Sequence, residues 1–209
     1  MSDVAPSLIL ASRSPSRLRL LRAAGIEPAV EVSGVAEDDV ERGQPVLMVA
    51  TLARRKAEAV AARHRFGLIL GCDSTFEVAG QAHGKPRHGD EAVQRWRRMR
   101  AEHGVLHTGH CLIDAGDGTM AQAVASTIVR FGRPSDDEID AYVATGEPLE
   151  VAGGFTLDGL SAPFIDGVEG DPSNVIGLSL PVLRRLLAEL GVAVTALWNL
   201  GHGLGQGGR

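Results

Sequence analysis

A lysine at position 56 lies on the apolar side of a predicted helix. The spacing of apolar residues predicts this helix over about residues 45–63. At 100° per residue, Lys56 lies in the middle of the apolar arc, beside Leu52 and Val60. An ammonium group that points inward needs an anion. The alternative is that the lysine stem covers the core while the ammonium group reaches water.

An aspartate follows a short apolar segment further along the chain. Residues 67–71 predict a fully buried strand, and Asp73 lies just past its end. Open α/β sheets bind their ligands beyond the ends of such strands, so this carboxylate is a candidate for chemistry. A simple turn is the other interpretation, because Asp, Ser and Thr occur in succession here.

The third candidate for chemistry, after Lys56 and Asp73, is a serine-rich junction near the start of the chain. Ser12, Ser14, Ser16 and Arg17 lie where the apolar run 7–11 meets a predicted helix. The free N–H groups and the dipole at a helix N-terminus favour a phosphate. Helix capping explains Ser14, with a first-turn proline after it, but it does not explain Arg17. Together these residues indicate an anion site with a carboxylate nearby.

Other patterns in the sequence give weaker evidence for a functional site. The glycines of residues 203–208 match GxGxxG, but no helix follows them, and residues 80–85 resemble a P-loop that is one residue short. His107 and His110 precede Cys111, yet strand alternation directs the two histidines to opposite faces, which disfavours a shared metal. The sequence contains neither a GxSxG motif nor a CxxC pair.

The elements that position these groups are predicted helices and strands that alternate along the chain. This alternation predicts a mixed α/β fold. We expect one domain over residues 1–200, followed by a flexible glycine-rich tail over residues 201–209. We expect helices over residues 14–25, 45–63, 90–101, 135–146 and 175–190. We expect strands over residues 7–11, 29–33, 67–71, within 77–85, as a hairpin within 105–130 that turns near Gly118, and over 193–197.

Composition and charge limit the classes of partner. The chain of 209 residues has a formal net charge of -5, which disfavours nucleic-acid polymers as partners. It contains two cysteines, and we find no secretory leader and no apolar run of about 20 residues. We therefore expect a cytoplasmic protein that does not enter a membrane.

Seven blocks of sequence, in order, resemble the motifs of the Maf family of nucleoside triphosphate pyrophosphatases. The resemblance extends over about residues 8–190, and the ordered set is far more specific than any single block. The blocks are residues 8–21 (LILASRSPSRLRLL), 35–37 (VAE), 52–57 (LARRKA), 71–74 (GCDS), 84–86 (GKP), 152–155 (AGGF) and 175–181 (VIGLSLP).

The resemblance implies an activity and an architecture. It implies hydrolysis of a nucleoside triphosphate between the α and β phosphates, with a divalent cation such as Mg²⁺ or Mn²⁺ as cofactor. The implied fold is a mixed, elongated α/β sheet with flanking helices in two lobes around a cleft, similar to inosine triphosphate pyrophosphatase. Family members are often homodimers, so we expect a homodimer.

The resemblance also implies roles for individual residues. Asp73 corresponds to the catalytic aspartate of the family, and Lys56 and Lys85 correspond to its two lysines. The substrate-binding serine and arginine correspond to Ser12 and Arg17. The acidic residue corresponds to Glu37, which we expect to hold the metal together with Asp73.

Three positions depart from the family's motifs or vary among its branches, and they concern the choice of base. Ser16 stands where Arg or Trp is common, and Ser74 where one branch has Thr and another Gln. Asp158 replaces the Gln of the branch acting on dTTP and UTP and the Glu of the branch acting on 7-methyl-GTP. Because a carboxylate accepts hydrogen bonds from a guanine edge, Asp158 favours a purine-like or modified base.

Two other functions are compatible with these residues. An enzyme acting on another phosphoanhydride, such as a dinucleotide, would use the same groups and release different products. A non-catalytic nucleotide-binding regulator of cell division would need the anion site but no turnover. The charged groups for metal-assisted phosphoryl chemistry are all present, which favours an enzyme.

Overall fold

The computed structural model describes residues 6–36 and 43–199, which form a mixed α/β fold. The strands are β1 (Leu8–Leu10), β2 (Ala29–Val30), β3 (Leu68–Val78), β4 (Gln81–His83), β5 (His103–Asp114), β6 (Met120–Phe131) and β7 (Ile165–Glu169). The helices are α1 (Pro15–Ala23), α2 (Pro45–Ala61), α3 (Gly89–Met99), α4 (Asp136–Ala144), α5 (Pro172–Ile176) and α6 (Leu180–Glu189). The predicted fold class is confirmed.

Within the described residues, the seven strands form one sheet in the order β2-β1-β3-β5-β6-β7, and β4 pairs with β3. The strands β2, β1 and β3 are parallel, and the remaining pairs are antiparallel. β5 and β6 form the predicted hairpin, which closes through hydrogen bonds between Asp114 and the residues Gly118 and Thr119. None of the helices in these ranges has the length and apolar character that a membrane crossing requires.

Side chains of alternate strand residues build cores on both faces of the sheet. One face, here the even face of β3, carries two apolar clusters. The first packs Leu70 and Cys72 against α6, and the second packs Phe76 against Trp96 of α3. On the opposite, odd face, Ile69 packs against α2. The even face therefore has two separate apolar regions.

A strip of polar side chains separates these two apolar regions. Ser74, Thr108 and Thr127 lie between the clusters on three neighbouring strands, β3, β5 and β6. Asn174 of α5 lies over this strip. Its Nδ2 donates to Thr127 Oγ1 at 3.0 Å and to the Leu106 carbonyl at 3.1 Å. The strip therefore divides the apolar surface of the even face in two.

Several element boundaries differ from the sequence predictions. β3 continues to Val78, so Asp73 lies inside a strand, and both its predicted place after a strand and the turn interpretation are wrong. The helix predicted over residues 175–190 is divided into α5 and α6 at Gly177, which has a φ of 114°. The strand predicted over residues 193–197 is instead a short 3₁₀ helix, Val194–Leu197. The predicted tail, residues 201–209, lies outside the described residues.

Candidate active site

Close packing of α2 on the sheet brings Lys56 to the odd face. A Cβ atom on Gly71 would lie 2.2 Å from the Ala53 carbonyl oxygen, and one on Gly109 would lie 2.1 Å from the Val49 carbonyl oxygen. Only residues without a side chain allow the helix to approach this closely. The helix backbone therefore rests directly on β3 and β5.

Lys56 and Asp73 form an ion pair under this helix. Lys56 Nζ lies 2.6 Å from Asp73 Oδ1, and the two side chains are only 11% and 12% exposed. The ammonium group therefore binds a carboxylate at the sheet, as an inward lysine requires, and the alternative in which it extends to water is wrong. A pair this well buried is held by strong electrostatic attraction and fixes the orientation of the carboxylate.

The pair lies beside an interruption in the pairing of β3. One edge of β3 is occupied by β5, and the other edge pairs with β1 through Leu68–Leu70 and with β4 through Phe76–Val78. In the described parts of the chain, residues 71–75 have no strand partner on that second edge. Asp73 lies in the middle of this gap.

Arg17 reaches the same gap from the even face. Its Nη1 donates to Ser12 Oγ at 2.9 Å, its Nη2 to Ser74 Oγ at 2.9 Å, and its Nε to the Gly177 carbonyl at 2.7 Å. Ser14 caps α1 by accepting the N–H of Arg17 at 3.4 Å. The guanidinium group is thus buried and held from three sides, and it connects the start of α1 to β3.

Ser74 belongs to the polar strip and not to the Lys56–Asp73 face. Its Oγ lies 2.9 Å from Thr108 Oγ1, which in turn donates to the Asn174 carbonyl at 3.4 Å. Ser74 and Asp73 are consecutive in a strand, so their side chains point to opposite faces. The structure therefore places the Lys56–Asp73 pair on one face of the sheet, and Arg17 with its two serine partners on the other.

Lys85 lies at the other end of the gap, two residues after β4. Its side chain is 61% exposed, and its Nζ lies 3.9 Å from Glu150 Oε2. The buried Lys56 and the exposed Lys85 thus differ in environment: the first is fixed, and the second is accessible to a ligand from solvent.

Asp158 and Ser16 are joined by an arginine that the sequence analysis did not identify. Arg19 Nη2 lies 3.3 Å from Asp158 Oδ2 and donates to Ser16 Oγ at 3.0 Å. Ser16 and Arg19 both lie on α1, whereas Asp158 follows the loop at Gly153 and Gly154. The structure therefore brings together two positions that the sequence analysis linked to the choice of base.

The predicted metal pair is described only in part. Glu37 lies outside the described residues, so its distance to Asp73 is not part of the structure. Among residues 6–36 and 43–199, the His, Cys, Asp and Glu side chains form no group of three that could hold a metal ion. Asp73 is thus the described carboxylate on which a metal proposal rests.

The two histidines of the HTGH segment have separate surroundings, as alternation predicts. His107 Nε2 lies 3.0 Å from Glu77 Oε2 and its Nδ1 lies 2.8 Å from Ser126 Oγ, on the odd face. His110 lies in the even face, where its Nε2 accepts the N–H of Ser179 at 2.9 Å. Burial lowers the pKa of His110 to about 4, so it is neutral at pH 7.

Neither cysteine is a reactive thiol. Cys72 and Cys111 are both free and buried. Burial raises the pKa of Cys72 to about 11 and that of Cys111 to about 12, so both remain protonated at neutral pH.

Comparison with known proteins identifies the family of this chain. The family model described as Maf-like protein matches residues 7–190. A nucleoside triphosphate pyrophosphatase of Streptomyces coelicolor is 58% identical over 193 residues, covering 91% of this chain and 94% of the relative. Proteins with the same name from Streptomyces avermitilis (55% identical; 92% of this chain, 94% of the relative) and Nostoc punctiforme (48% identical; 93% and 98%) are also similar. This chain belongs to the Maf family.

Proposed function

We propose that this protein hydrolyses nucleoside triphosphates between the α and β phosphates, releasing a nucleoside monophosphate and pyrophosphate. The observation that carries the proposal is the buried Lys56–Asp73 pair, 2.6 Å apart, at the gap in β3. Arg17 and Ser12 border that gap from the other face. The shared name of relatives 55–58% identical over most of the chain supports the same reaction.

In this mechanism, Asp73 orients the attacking water and accepts its proton. The hydrogen bond from Lys56 to Oδ1 fixes the orientation of the Asp73 carboxylate, which acts as the general base for the water molecule. As the water attacks phosphorus, negative charge develops on the phosphate oxygens and on the leaving pyrophosphate. The fixed positive charge of Lys56 stabilises this charge where water has limited access.

Arg17 and Lys85 bind the phosphate chain in this proposal. Arg17 uses three of the five N–H groups of its guanidinium in the bonds described above, which leaves two for phosphate oxygens. Lys85 is exposed and reaches a bound triphosphate from the side of β4. Arg17 supplies a preformed contact, whereas Lys85 supplies a charge that moves onto the substrate.

A divalent cation, Mg²⁺ or Mn²⁺, fits this donor set. Mg²⁺ commonly binds one or two protein carboxylates and completes its shell with substrate phosphates and water. Asp73 supplies one carboxylate, and we assign Glu37 as the second. When bound, the cation would neutralise phosphate charge and lower the pKa of a bound water molecule.

We infer that the preferred base is purine-like or modified. Asp158 presents a carboxylate that accepts from the N1–H and amino groups of guanine, and Arg19 beside it is a donor for a base oxygen or ring nitrogen. Ser16 provides a small polar group next to them and leaves room for a larger base.

We also infer a cytoplasmic homodimer with a Maf-like domain over residues 1–200. The family model over residues 7–190 supports the domain, and two unpaired, buried cysteines accord with a reducing compartment. The homodimer rests on the resemblance to the family.

Identification of the products tests the proposed reaction. The protein is incubated with Mg²⁺ or Mn²⁺ and dTTP, UTP, CTP, GTP or 7-methyl-GTP, and the products are separated chromatographically. We expect a nucleoside monophosphate and pyrophosphate in equal amounts. A nucleoside diphosphate with inorganic phosphate would contradict cleavage at the α–β bond, as would turnover of a dinucleotide in a parallel reaction when no triphosphate is cleaved. An absence of products in all reactions would contradict the proposed reaction.

A further inference from the structure

A buried arginine on α3 contacts the backbone next to Lys85. Arg95 is 7% exposed and packs on the apolar side of α3 with Trp96 and Met99. Its Nη1 donates to the Gly84 carbonyl at 2.6 Å, and its Nη2 donates to Glu91 Oε1 at 2.9 Å. The carbonyl of Gly84 belongs to the peptide group whose nitrogen is that of Lys85, so Arg95 holds the peptide plane from which Lys85 extends.

The same carbonyl connects a second segment of the site. The N–H of Gly153 donates to the Gly84 carbonyl at 3.1 Å. Trp96, the neighbour of Arg95 on α3, donates from Nε1 to the Gly154 carbonyl at 2.8 Å. A Cβ on Gly154 would lie 3.0 Å from Pro86, so the two segments are also in close contact. One turn of α3 therefore fixes both the segment before Lys85 and the segment before Asp158.

The cost of burying Arg95 favours a specific role for its hydrogen bond to the Gly84 carbonyl over simple filling of the core. Burial lowers the pKa of Arg95, against the attraction of Glu91, so burying the guanidinium has a cost. Glu91 compensates part of this cost, and it also accepts from the N–H of Arg87 at 3.0 Å. An apolar side chain at position 95 would fill the same space without that cost, but it would leave the Gly84 carbonyl without its charged donor.

We propose that Arg95 is a positioning residue for Lys85. Through the Gly84–Lys85 peptide, it sets the direction in which Lys85 leaves the backbone. Through the shared Gly84 carbonyl, it keeps Lys85 aligned with the Ala152–Gly154 segment that leads to Asp158. The proposal rests on the proposed function, because Lys85 acts there on the triphosphate. Its consequence is that the phosphate contact and the base contact are coupled through α3.

Steady-state kinetics of Arg95→Gln and Arg95→Lys test this coupling. A glutamine or lysine reaches only one of the two acceptors in a fixed geometry, so we expect kcat/KM to fall by about 10- to 100-fold. Arg98→Gln is the matched control, because Arg98 is an exposed residue of the same helix and loses the same charge. We expect Arg98→Gln to keep the wild-type kcat/KM.

A double-mutant cycle with Lys85→Ala separates positioning from general destabilisation. If Arg95 acts through Lys85, the loss caused by Arg95→Gln should be small when Lys85 is already alanine. Multiplicative losses in the double variant, in protein shown to be folded by circular dichroism, would overturn the proposal. So would a kcat/KM for Arg95→Gln within twofold of the wild type.

Hydrogen exchange gives a readout that does not depend on activity. Arg95→Gln should accelerate amide exchange of Gly153 and of the segment around Lys85, while exchange in β5 and β6 stays unchanged. Equal exchange of these amides in both proteins would overturn the proposal. If the wild-type protein releases no pyrophosphate, the proposed function fails, but the exchange experiment still decides whether Arg95 orders the Lys85 segment.

Discussion

At the scale of single residues, Lys56 and Asp73 depend on each other because both are charged and nearly buried. Removing one partner takes away the 2.6 Å ion pair of the other in a nearly buried region, where such a loss is costly. We predict that Lys56→Met lowers the free energy of unfolding by about 3 kcal/mol. Urea denaturation measures this value.

The double variant Lys56→Met/Asp73→Asn is the control for that prediction. Removing both charges should restore a large part of the lost stability, because the buried ion pair is then replaced as a whole and not broken on one side. Equal or greater destabilisation in the double variant would show that the pair is not the source of the effect.

His110 makes the stability depend on pH. Burial lowers its pKa to about 4 in the folded protein, and its Nε2 must stay unprotonated to accept the Ser179 N–H. Between about pH 6.5 and pH 4 the unfolded chain therefore binds more protons, so the free energy of unfolding falls as the pH falls. The contribution is fully present above about pH 6.5.

We predict that His110→Gln reduces this pH dependence. Glutamine keeps an acceptor but does not titrate, so the difference in stability between pH 7 and pH 4.5 should shrink by about 2 kcal/mol. Urea denaturation at the two pH values measures it. An unchanged difference would mean that His110 does not titrate in this range.

Residue-level patterns in the sequence predicted some contacts and not others. The inward direction of Lys56 followed from helical periodicity alone, since a buried helix face repeats every 3.6 residues. The contact between Arg17 and the Gly177 carbonyl joins residues 160 positions apart, and no local pattern indicates such a partner. The pairing of Arg19 with Asp158 was missed for the same reason.

At the scale of elements, α2 can reach β5 only because position 109 is glycine. The distance of 2.1 Å from a Cβ at this position to the Val49 carbonyl oxygen leaves no room for a methyl group. We predict that Gly109→Ala lowers the free energy of unfolding by about 2 kcal/mol, and that it lowers turnover by moving Lys56. Thermal unfolding and pyrophosphate release measure the two effects.

Gly167→Ala provides the matched control for this change. Gly167 also lies in a strand, β7, but a Cβ there would have no heavy atom within 4 Å. Its stability should stay within about 0.5 kcal/mol of the wild type. A similar loss in both variants would mean that the close approach of α2 is not the cause.

Element boundaries show where local sequence is insufficient. The apolar run ends at Gly71, yet β3 continues through Asp73 to Val78 because β5 pairs with it along almost its whole length. Gly177 could have indicated the break between α5 and α6, since a φ of 114° suits glycine and Ser179 caps the next helix. Residues 193–197 were predicted as a strand from their apolar character, but they form no strand pairing in the described structure.

At the scale of the whole molecule, the proposed function requires one substrate to contact groups on both faces of the sheet at the gap in β3. Its phosphates lie near the Lys56–Asp73 pair in the proposed function, and its base lies near Asp158. We predict that Asp158→Gln shifts the ratio of kcat/KM for GTP over UTP by about tenfold towards UTP. Glutamine both donates and accepts, so it loses the advantage of a carboxylate at a guanine edge. An unchanged ratio would remove Asp158 from base recognition.

The mixed α/β class was predictable because helices and strands alternate along the chain with clear caps and apolar runs. The ordered motifs also indicated Lys56, Asp73 and Arg17 as site residues. The polar strip between the two apolar clusters was not predictable, since it depends on the register of β3, β5 and β6. Register is a property of the assembled sheet and has no local signal in these long strands.

The most direct test of the central claim is the rate of pyrophosphate release by Asp73→Asn, measured with the best substrate of the panel. Asp140→Asn, at an exposed position on α4, is the control for loss of a carboxylate. We predict that Asp73→Asn loses about 1000-fold or more in kcat, with circular dichroism showing a folded protein, while Asp140→Asn stays at the wild-type rate. A folded Asp73→Asn variant with near-wild-type turnover would contradict the assignment of the Lys56–Asp73 pair as the catalytic centre.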